Sequence, residues 1–309
     1  MSLTRRQTAT ALLTLPLALT ATPAFAHGGG AGGPRPRTLH IAGDSTAATK
    51  SADAAPETGW GMALPFFLAR HLRVANHAVN GRSSKSFIDE GRLAALLGGV
   101  RPGDLLLIQF GHNDEKTEDP ARGTDPATTY RAYLREYVRG ARARRARPVL
   151  LTSVERRRFG PDGTARPTHG EYPAAMRALA AEEGVPLLDI QALSLARWQQ
   201  LGPDGTLPLF LWLKPGESPN HPDGAQDNTH FRPPGAVETA RMTARALLDG
   251  GVLAARDLRR LGDRVPDEWI TWDGPGGSAG PAGSAGPAGS AGPAGSAESA
   301  GSAEPAGSA

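Results

Sequence analysis

The sequence predicts an α/β protein in which parallel strands form one doubly wound sheet with helices on both of its faces. Two observations support this fold class. Short apolar segments bounded by turn residues alternate along the chain with segments of helical periodicity. The strand candidates are continuously apolar, as in residues 105–110, and this is typical of parallel strands that are buried on both faces.

Five strands and five helices are assigned in order. The clearest helix covers residues 129–145, because apolar side chains recur three and four positions apart with arginines on the opposite face. The strands are expected at residues 38–42, 73–79, 104–110, 148–152 and 186–190. The other helices are expected at residues 60–72, 84–97, 171–183 and 234–248, with a long loop at residues 202–226.

The first 26 residues have the pattern of an export signal. An arginine pair precedes an apolar run at residues 11–19, and a small-residue sequence ends at Ala26, so we expect cleavage after Ala26 and a secreted protein. The arginine pair suits the twin-arginine route, whereas Thr8 stands where that signal usually has an aromatic residue, so general export stays an equal alternative. Because the run is too short to cross roughly 30 Å of hydrocarbon, no stable membrane insertion is expected after cleavage.

Composition separates both ends of the chain from its body. Residues 27–37 are predicted to be a disordered linker and residues 274–309 a disordered tail, since apart from two glutamates the tail contains only Gly, Ala, Pro and Ser. Triplets that begin with Gly also permit a collagen-like interpretation of the tail, but proline fills only alternate triplets. Residues 38–273 are expected to form a single domain.

Charge and cysteine content exclude several classes of function. A formal net charge of +3 does not indicate nucleic-acid binding. The chain has no cysteine, so a thiol nucleophile, a disulfide and a cysteine-ligated metal are all excluded. No cofactor and no metal ion are predicted, and a monomer is expected.

Polar residues follow the first three predicted strands, at the sheet edge where doubly wound proteins bind ligands. Ser45 can present its hydroxyl and its backbone N–H to one point above the sheet. Gly81 lets its N–H approach a ligand closely, and the side-chain amide of Asn113 can donate to an oxyanion. Each of the three also fits an ordinary turn or helix cap, so only their conjunction indicates a site.

Asp227 and His230 lie three positions apart near the end of the body. At this spacing a carboxylate can orient an imidazole that acts as a general base. Two alternatives stay open, a metal site that uses His221 or His112 as a third ligand and a surface loop without chemistry. Because no HExxH pattern and no cysteine accompany the histidines, a metal is the weaker interpretation.

Short motifs follow one another along the body of the chain. They are GDST from Gly43, GWG from Gly59, NHA from Asn76, GRSS from Gly81, QFGHND from Gln109, RR at Arg156, PGESPN from Pro215, PDG from Pro222 and DNTHF from Asp227. This ordered set resembles the SGNH (GDSL-like) hydrolase superfamily, and in detail its rhamnogalacturonan acetylesterase branch. The resemblance covers roughly residues 39–248 and implies a three-layer α/β/α sandwich with a five-stranded, flavodoxin-like parallel sheet.

The resemblance also implies a role for each site residue. Ser45 is the nucleophile, His230 the general base and acid, and Asp227 the residue that orients His230. The oxyanion hole consists of the backbone N–H groups of Ser45 and Gly81 with the side-chain amide of Asn113. The implied substrate is an O-acetyl ester on a plant cell-wall polysaccharide, with pectic rhamnogalacturonan first and xylan or another acetylated glycan second.

Weaker expectations concern three further residues and the rival functions. Trp60 is expected either to form a wall for a sugar ring or to lie in the core, and Arg82 either to bind a uronate carboxylate or to be an ordinary surface arginine. His112 is expected to support the loop of Asn113. The rival functions are a lipolytic esterase or thioesterase, which the polar motifs disfavour, and a non-catalytic glycan-binding module, which the complete triad disfavours. Whether water or a second sugar accepts the acetyl group stays open.

Overall fold

The computed structural model of the chain describes residues 37–274. The predicted export signal with its cleavage site after Ala26, the predicted linker up to residue 36 and the predicted tail beyond Gly274 lie outside these residues. Across the described range, none of the helices combines the length and the apolar character needed to cross a bilayer.

The main sheet has five parallel strands in the order β2-β1-β3-β4-β5, which confirms the predicted flavodoxin-like arrangement. The carboxyl ends of β1, β2 and β3 therefore lie side by side, as the predicted site requires. The strands are β1 Arg37–Gly43, β2 Leu72–Asn76, β3 Leu105–Gln109, β4 Arg147–Leu151 and β5 Leu187–Leu188.

Helices cover both faces of the sheet, as predicted, and alternate strand residues enter two separate cores. In β3, Leu105 and Leu107 pack into one core while Leu106 and Ile108 pack into the other, which explains the continuous apolar run. The first core is covered by α1 Trp60–Ala63, α6 Ile190–Thr206 and α7 Pro233–Asp249. The second is covered by α2 Ser84–Asp89, α3 Arg92–Gly99, α4 Thr129–Ala143 and α5 Tyr172–Glu183.

Two predicted helices are interrupted. The helix predicted at residues 60–72 ends at Ala63 and continues as a single 3₁₀ turn, Leu64–Phe67, where Pro65 removes a backbone donor. The helix predicted at residues 84–97 is divided at Gly91, which has φ of 72°. This left-handed conformation suits glycine and separates α2 from α3.

The prediction of a loop over residues 202–226 is wrong at both of its ends. Helix α6, which was not predicted, bends at Gly202 with φ of 72° and then continues to Thr206, because Pro203 fits the first turn of a resumed helix. An antiparallel pair of strands follows, β6 Phe210–Leu213 and β7 Ala225–Phe231. Because β7 contains Asp227 and His230, a strand rather than a loop presents these two side chains.

Candidate active site

The turn after β1 presents Ser45 at the carboxyl edge of the sheet. The buried carboxylate of Asp44 accepts hydrogen bonds from the Thr46 backbone N–H at 2.9 Å and from the Thr46 hydroxyl at 2.7 Å. The Asp44 carbonyl accepts from the N–H groups of Ala47 and Ala48 at 3.2 and 3.0 Å. These bonds fix the turn, while no described residue accepts a hydrogen bond from the N–H of Ser45.

The segment Gly59-Trp60-Gly61 braces this turn. Trp60 is 1% exposed, and its indole N–H donates to Gln109 Oε1 at 2.6 Å. A Cβ added to Gly61 would lie 2.6 Å from the Ala47 carbonyl oxygen, so glycine permits the close approach of α1 to the turn. The interpretation of Trp60 as a wall for a sugar ring is therefore wrong, because the indole is buried in the core and cannot face a ligand.

Strand β7 places a histidine–carboxylate pair against Ser45. His230 Nε2 lies 2.8 Å from Ser45 Oγ, and His230 Nδ1 lies 2.6 Å from Asp227 Oδ2. The other carboxylate oxygen of Asp227 accepts hydrogen bonds from the backbone N–H groups of Thr229 at 2.6 Å and His230 at 3.0 Å. The structure thus joins three predicted side chains into one hydrogen-bonded chain of the kind that activates a serine.

The pKa of His230 is raised above its ordinary value. Burial lowers this pKa, but the hydrogen bond and the negative charge of Asp227 outweigh the effect of burial, and the carboxylate of Glu57 adds to them. Burial raises the pKa of Asp227, whereas the hydrogen bond and charge of His230 bring it down to about 2. Asp227 is therefore ionised at neutral pH and stabilises the imidazolium form of His230.

The loops after β2 and β3 bring two more predicted residues to this edge. The Val79 N–H donates to the Gly43 carbonyl at 3.0 Å, which holds the second loop beside the turn of Ser45. Gly81 has φ of 73°, and its N–H has no acceptor within residues 37–274. Asn113 Nδ2 donates to the Arg82 carbonyl at 3.1 Å, so one amide hydrogen anchors Asn113 to the loop of Gly81 and the second is free to bind a ligand.

A second histidine–carboxylate pair, His112 with Asp44, lies at the same edge of the sheet. His112 Nδ1 lies 3.2 Å from Asp44 Oδ2, and the side chains are 4% and 0% exposed. Burial lowers the pKa of His112 to about 4, so its imidazole is neutral at pH 7. Burial raises the pKa of Asp44, but His112 and Thr46 together bring it down to about 2. The pair joins the turn of Ser45 to the loop of Asn113.

The sequence-based prediction missed a buried ion pair beside His230. Lys50 Nζ lies 2.6 Å from Glu57 Oε1 and donates to Asn80 Oδ1 at 2.7 Å. Glu57 Oε1 lies 4.0 Å from His230 Nε2. The segment between Ser45 and Glu57 has no apolar periodicity, and its one signal is a lone lysine in a run of small residues. That signal identifies neither the burial of Lys50 nor its partner.

Arg82, the alternative metal ligands and the arginine pair are the remaining features that the sequence singled out. Arg82 Nε lies 3.0 Å from Glu90 Oε2 with the arginine side chain 34% exposed, so uronate binding by Arg82 stays a prediction. Among residues 37–274, no group of three His, Asp or Glu side chains is placed to hold a metal ion. The predicted arginine pair binds neighbouring segments: Arg156 forms an ion pair with Glu115, and Arg157 Nη2 donates to the Pro203 carbonyl at 2.9 Å.

The chain is similar in sequence to ester hydrolases. The model of the GDSL-like lipase/acylhydrolase family matches residues 41–236, a range that includes all five residues predicted for catalysis and the oxyanion hole. Rhamnogalacturonan acetylesterase RhgT of Bacillus subtilis (strain 168) is 43% identical over 218 residues, which are 71% of this chain and 92% of the relative. The probable rhamnogalacturonan acetylesterase YesY of the same organism is 38% identical over 214 residues, which are 69% of this chain and 94% of the relative.

The fold is similar to that of a solved structure. The crystal structure of YxiM from Bacillus subtilis superposes with a TM-score of 0.60 at 29% sequence identity. The match covers 70% of this chain and 57% of the YxiM chain, so the present protein spans little more than half of that structure.

Proposed function

Because this chain belongs to the GDSL-like lipase/acylhydrolase family, we propose that Ser45, His230 and Asp227 are the catalytic triad of a secreted polysaccharide acetylesterase. Its family and its 43% identity to an acetylesterase make the protein a carboxylic ester hydrolase. The single observation that carries the triad assignment is the continuous chain of hydrogen bonds, 2.8 Å from Ser45 Oγ to His230 Nε2 and 2.6 Å from His230 Nδ1 to Asp227.

In the first half of the proposed reaction, Ser45 Oγ attacks the acetyl carbonyl carbon and its proton passes to His230 Nε2. The imidazolium that forms is stabilised by Asp227, whose carboxylate is already ionised. The tetrahedral intermediate collapses when His230 Nε2 gives the proton to the sugar oxygen, so the sugar departs with a free hydroxyl and an acetyl group stays on Ser45.

The second half of the reaction restores the enzyme. Water attacks the acetyl carbon, and His230 Nε2 accepts a proton from the water. His230 then returns this proton to Ser45 Oγ as the bond between the acetyl group and the serine breaks. Acetic acid is released and ionises at neutral pH.

Both halves pass through an oxyanion, for which three donors are assigned. They are the N–H groups of Ser45 and Gly81 and the second amide hydrogen of Asn113. None of the three is used by an acceptor among the described residues, and two of them are fixed backbone groups that need no reorganisation when charge develops.

We assign an O-acetylated cell-wall polysaccharide as substrate, with rhamnogalacturonan first. Two relatives at 43% and 38% identity carry that substrate in their names. The side chains around His230 and Gly81 support a sugar rather than a long acyl chain, because Glu57 and Asn80 form a polar wall that the buried Lys50 joins from behind. Secretion is supported by the export pattern of the first 26 residues.

The test is a panel of esters offered to the wild-type protein and to the Ser45→Ala variant. Acetate release is measured from acetylated rhamnogalacturonan, from acetylated xylan and from 4-nitrophenyl esters of increasing chain length. We expect acetate release to be fastest from rhamnogalacturonan, to fall with acyl length and to vanish in Ser45→Ala. Faster cleavage of long acyl esters would favour the lipolytic alternative, and tight sugar binding without any turnover would favour the glycan-binding module.

A further inference from the structure

Lys50 is a charged side chain in an unusual place. Its side chain is 1% exposed, and burial of an ammonium group is costly unless the group is paired and hydrogen-bonded. Here the ammonium joins two loops of the site, since it binds Glu57 Oε1 at 2.6 Å and Asn80 Oδ1 at 2.7 Å, and Asn80 directly precedes Gly81. Lys50 therefore fixes the position of the Glu57 carboxylate relative to the oxyanion donors.

Glu57 is held from two further directions. Its own carbonyl accepts a hydrogen bond from the Trp272 indole N–H at 2.8 Å, and the N–H of its neighbour Thr58 donates to the Phe231 carbonyl of β7 at 2.8 Å. The loop of Glu57 is thus tied to the strand that carries His230. The carboxylate still has access to the site, because the side chain of Glu57 is 18% exposed.

The distance between Glu57 and His230 fits one oxygen atom between them. Glu57 Oε1 and His230 Nε2 are 4.0 Å apart. If an oxygen atom lay about 2.8 Å from each, an ordinary hydrogen-bond length, the angle at that oxygen between the two atoms would be about 90°. Because both atoms act as acceptors when His230 is the base, the bridging oxygen must donate a hydrogen to each of them.

Only water can make both bonds. A water molecule has two O–H groups, whereas the hydroxyl of a sugar has one, so a sugar hydroxyl that donates to His230 Nε2 turns a lone pair towards the Glu57 carboxylate. The carboxylate therefore stabilises water at this position by one hydrogen bond that an alcohol does not make.

Building on the proposed acetylesterase function, we propose that Glu57, held in place by Lys50, binds the water that attacks acetyl-Ser45 and so selects water over a sugar hydroxyl as the acetyl acceptor. One proton of this water passes to His230 Nε2 as its oxygen bonds to the acetyl carbon. The other stays on the oxygen, donated to Glu57, and becomes the acid proton of acetic acid. The proton on His230 goes to Ser45 Oγ as the ester bond breaks.

The test measures how the acetyl-enzyme partitions between water and an alcohol. The wild-type protein and the Glu57→Gln variant hydrolyse 4-nitrophenyl acetate in the presence of methanol, and the yields of methyl acetate and acetate are quantified by NMR. Both products arise from the same acetyl-enzyme, so a variant that only slows formation of this intermediate leaves their ratio unchanged.

We expect the ratio of methyl acetate to acetate to rise about tenfold in Glu57→Gln, since a hydrogen bond to a charged acceptor is lost for water alone. Glu57→Ala, which removes the acceptor entirely, should raise the ratio at least as much. The matched control is Glu182→Gln, because Glu182 is also paired with cations, Arg131 and Arg135, but lies on α5. The control should keep the wild-type ratio.

Two results would overturn this role of Glu57. One is an unchanged ratio in both Glu57 variants, which would leave the Lys50–Glu57 pair as a purely structural contact. The other is an equal rise in the Glu182→Gln control. A wild-type protein that releases no 4-nitrophenol, or releases it equally well as Ser45→Ala, would contradict the proposed function itself rather than the role of Glu57.

Discussion

Two histidine–aspartate pairs occupy the same edge of the sheet, and their environments give them opposite properties. His230 pairs with Asp227 at 2.6 Å, and its side chain is 28% exposed. His112 pairs with Asp44 at 3.2 Å, and both of its members are almost completely buried. The pKa of His230 is raised, whereas that of His112 is lowered to about 4.

A carboxylate neighbour alone does not make a histidine a base. Asp44 has the same chemistry as Asp227, but burial of His112 outweighs the attraction of the carboxylate. The two histidines also differ at their second ring nitrogen. His230 Nε2 lies 2.8 Å from Ser45 Oγ, while His112 Nε2 is buried without a hydrogen-bond partner among the described residues. The partly exposed pair of His230 and Asp227 is therefore called the open pair, and the buried pair of His112 and Asp44 the closed pair. Only the open pair can exchange a proton with a substrate.

Removing each histidine in turn should give the largest difference between the two pairs. We expect His230→Ala to lower kcat by on the order of 10⁴-fold or more, because His230 Nε2 is the hydrogen-bond partner of Ser45 Oγ among the described residues. His112→Ala should keep kcat within about tenfold of wild type, since its imidazole touches no reacting atom. Steady-state hydrolysis of 4-nitrophenyl acetate measures both. A larger loss in His112→Ala than in His230→Ala would reverse the assignment of the two pairs.

Removing the carboxylate of Asp227 tests whether its negative charge controls the pKa of His230. Asp227→Asn should reduce kcat by roughly 10²- to 10⁴-fold, because the amide neither stabilises the imidazolium nor fixes the tautomer. Since Asp227 raises the pKa of His230, its loss should also move the acidic limb of the kcat/KM profile to lower pH, with Glu57 and Lys50 the remaining charges near the ring. A pH profile of residual activity measures this. An acidic limb that stays in place would show that Asp227 does not control His230.

Asn113 directly follows His112 in the sequence, but a different role is assigned to its side chain. Asn113→Ala should lower kcat by about 100- to 1,000-fold through loss of one oxyanion donor, with little change in KM. The matched control is His112→Ala, one residue away. If the two variants lost activity equally, Asn113 would act only by maintaining its loop.

The smallest expected effect is on stability and belongs to the closed pair. His112→Ala leaves the buried carboxylate of Asp44 without one donor and should lower the free energy of unfolding by about 1–3 kcal/mol. The pKa of His112 is about 4 when folded against an ordinary 6.5, so protonation of the unfolded chain destabilises the wild-type protein as pH falls from 6.5 to 4. The difference between wild type and variant should therefore be largest above pH 6.5 and shrink below it. Urea unfolding at several pH values measures this trend.

Residues that follow a strand were the most predictable part of the site. Ser45, Gly81 and Asn113 could be placed together from the sequence because parallel strands bring their carboxyl ends to one edge. The spacing of Asp227 and His230 was equally clear, yet the strand that carries them was not, since six of the seven residues of β7 are only partly buried or exposed and the segment has no apolar run. Helix α6 was missed for another reason, since Gly202 and Pro203 have the pattern of a loop and interrupt the helix there.

Contacts without a local pattern could not be predicted. The pairing of Lys50 with Glu57 depends on how the loop after β1 folds back on itself, and no periodic pattern in the sequence predicts this. Trp60 had two interpretations, and the structure places it in the core, because its side chain is buried and its indole N–H donates to Gln109 at the end of β3. The second partner of Lys50, Asn80, lies 30 residues away in the sequence, and Gln109 lies 49 residues from Trp60.

Labelling by a fluorophosphonate, which reacts with a serine only when a base activates it, tests directly whether Ser45 is the nucleophile of this site. We expect one adduct per chain, located on Ser45 by peptide mass spectrometry, formed at a similar rate in wild type and His112→Ala and abolished in His230→Ala. An adduct on another residue, or undiminished labelling of Ser45 in His230→Ala, would contradict this assignment.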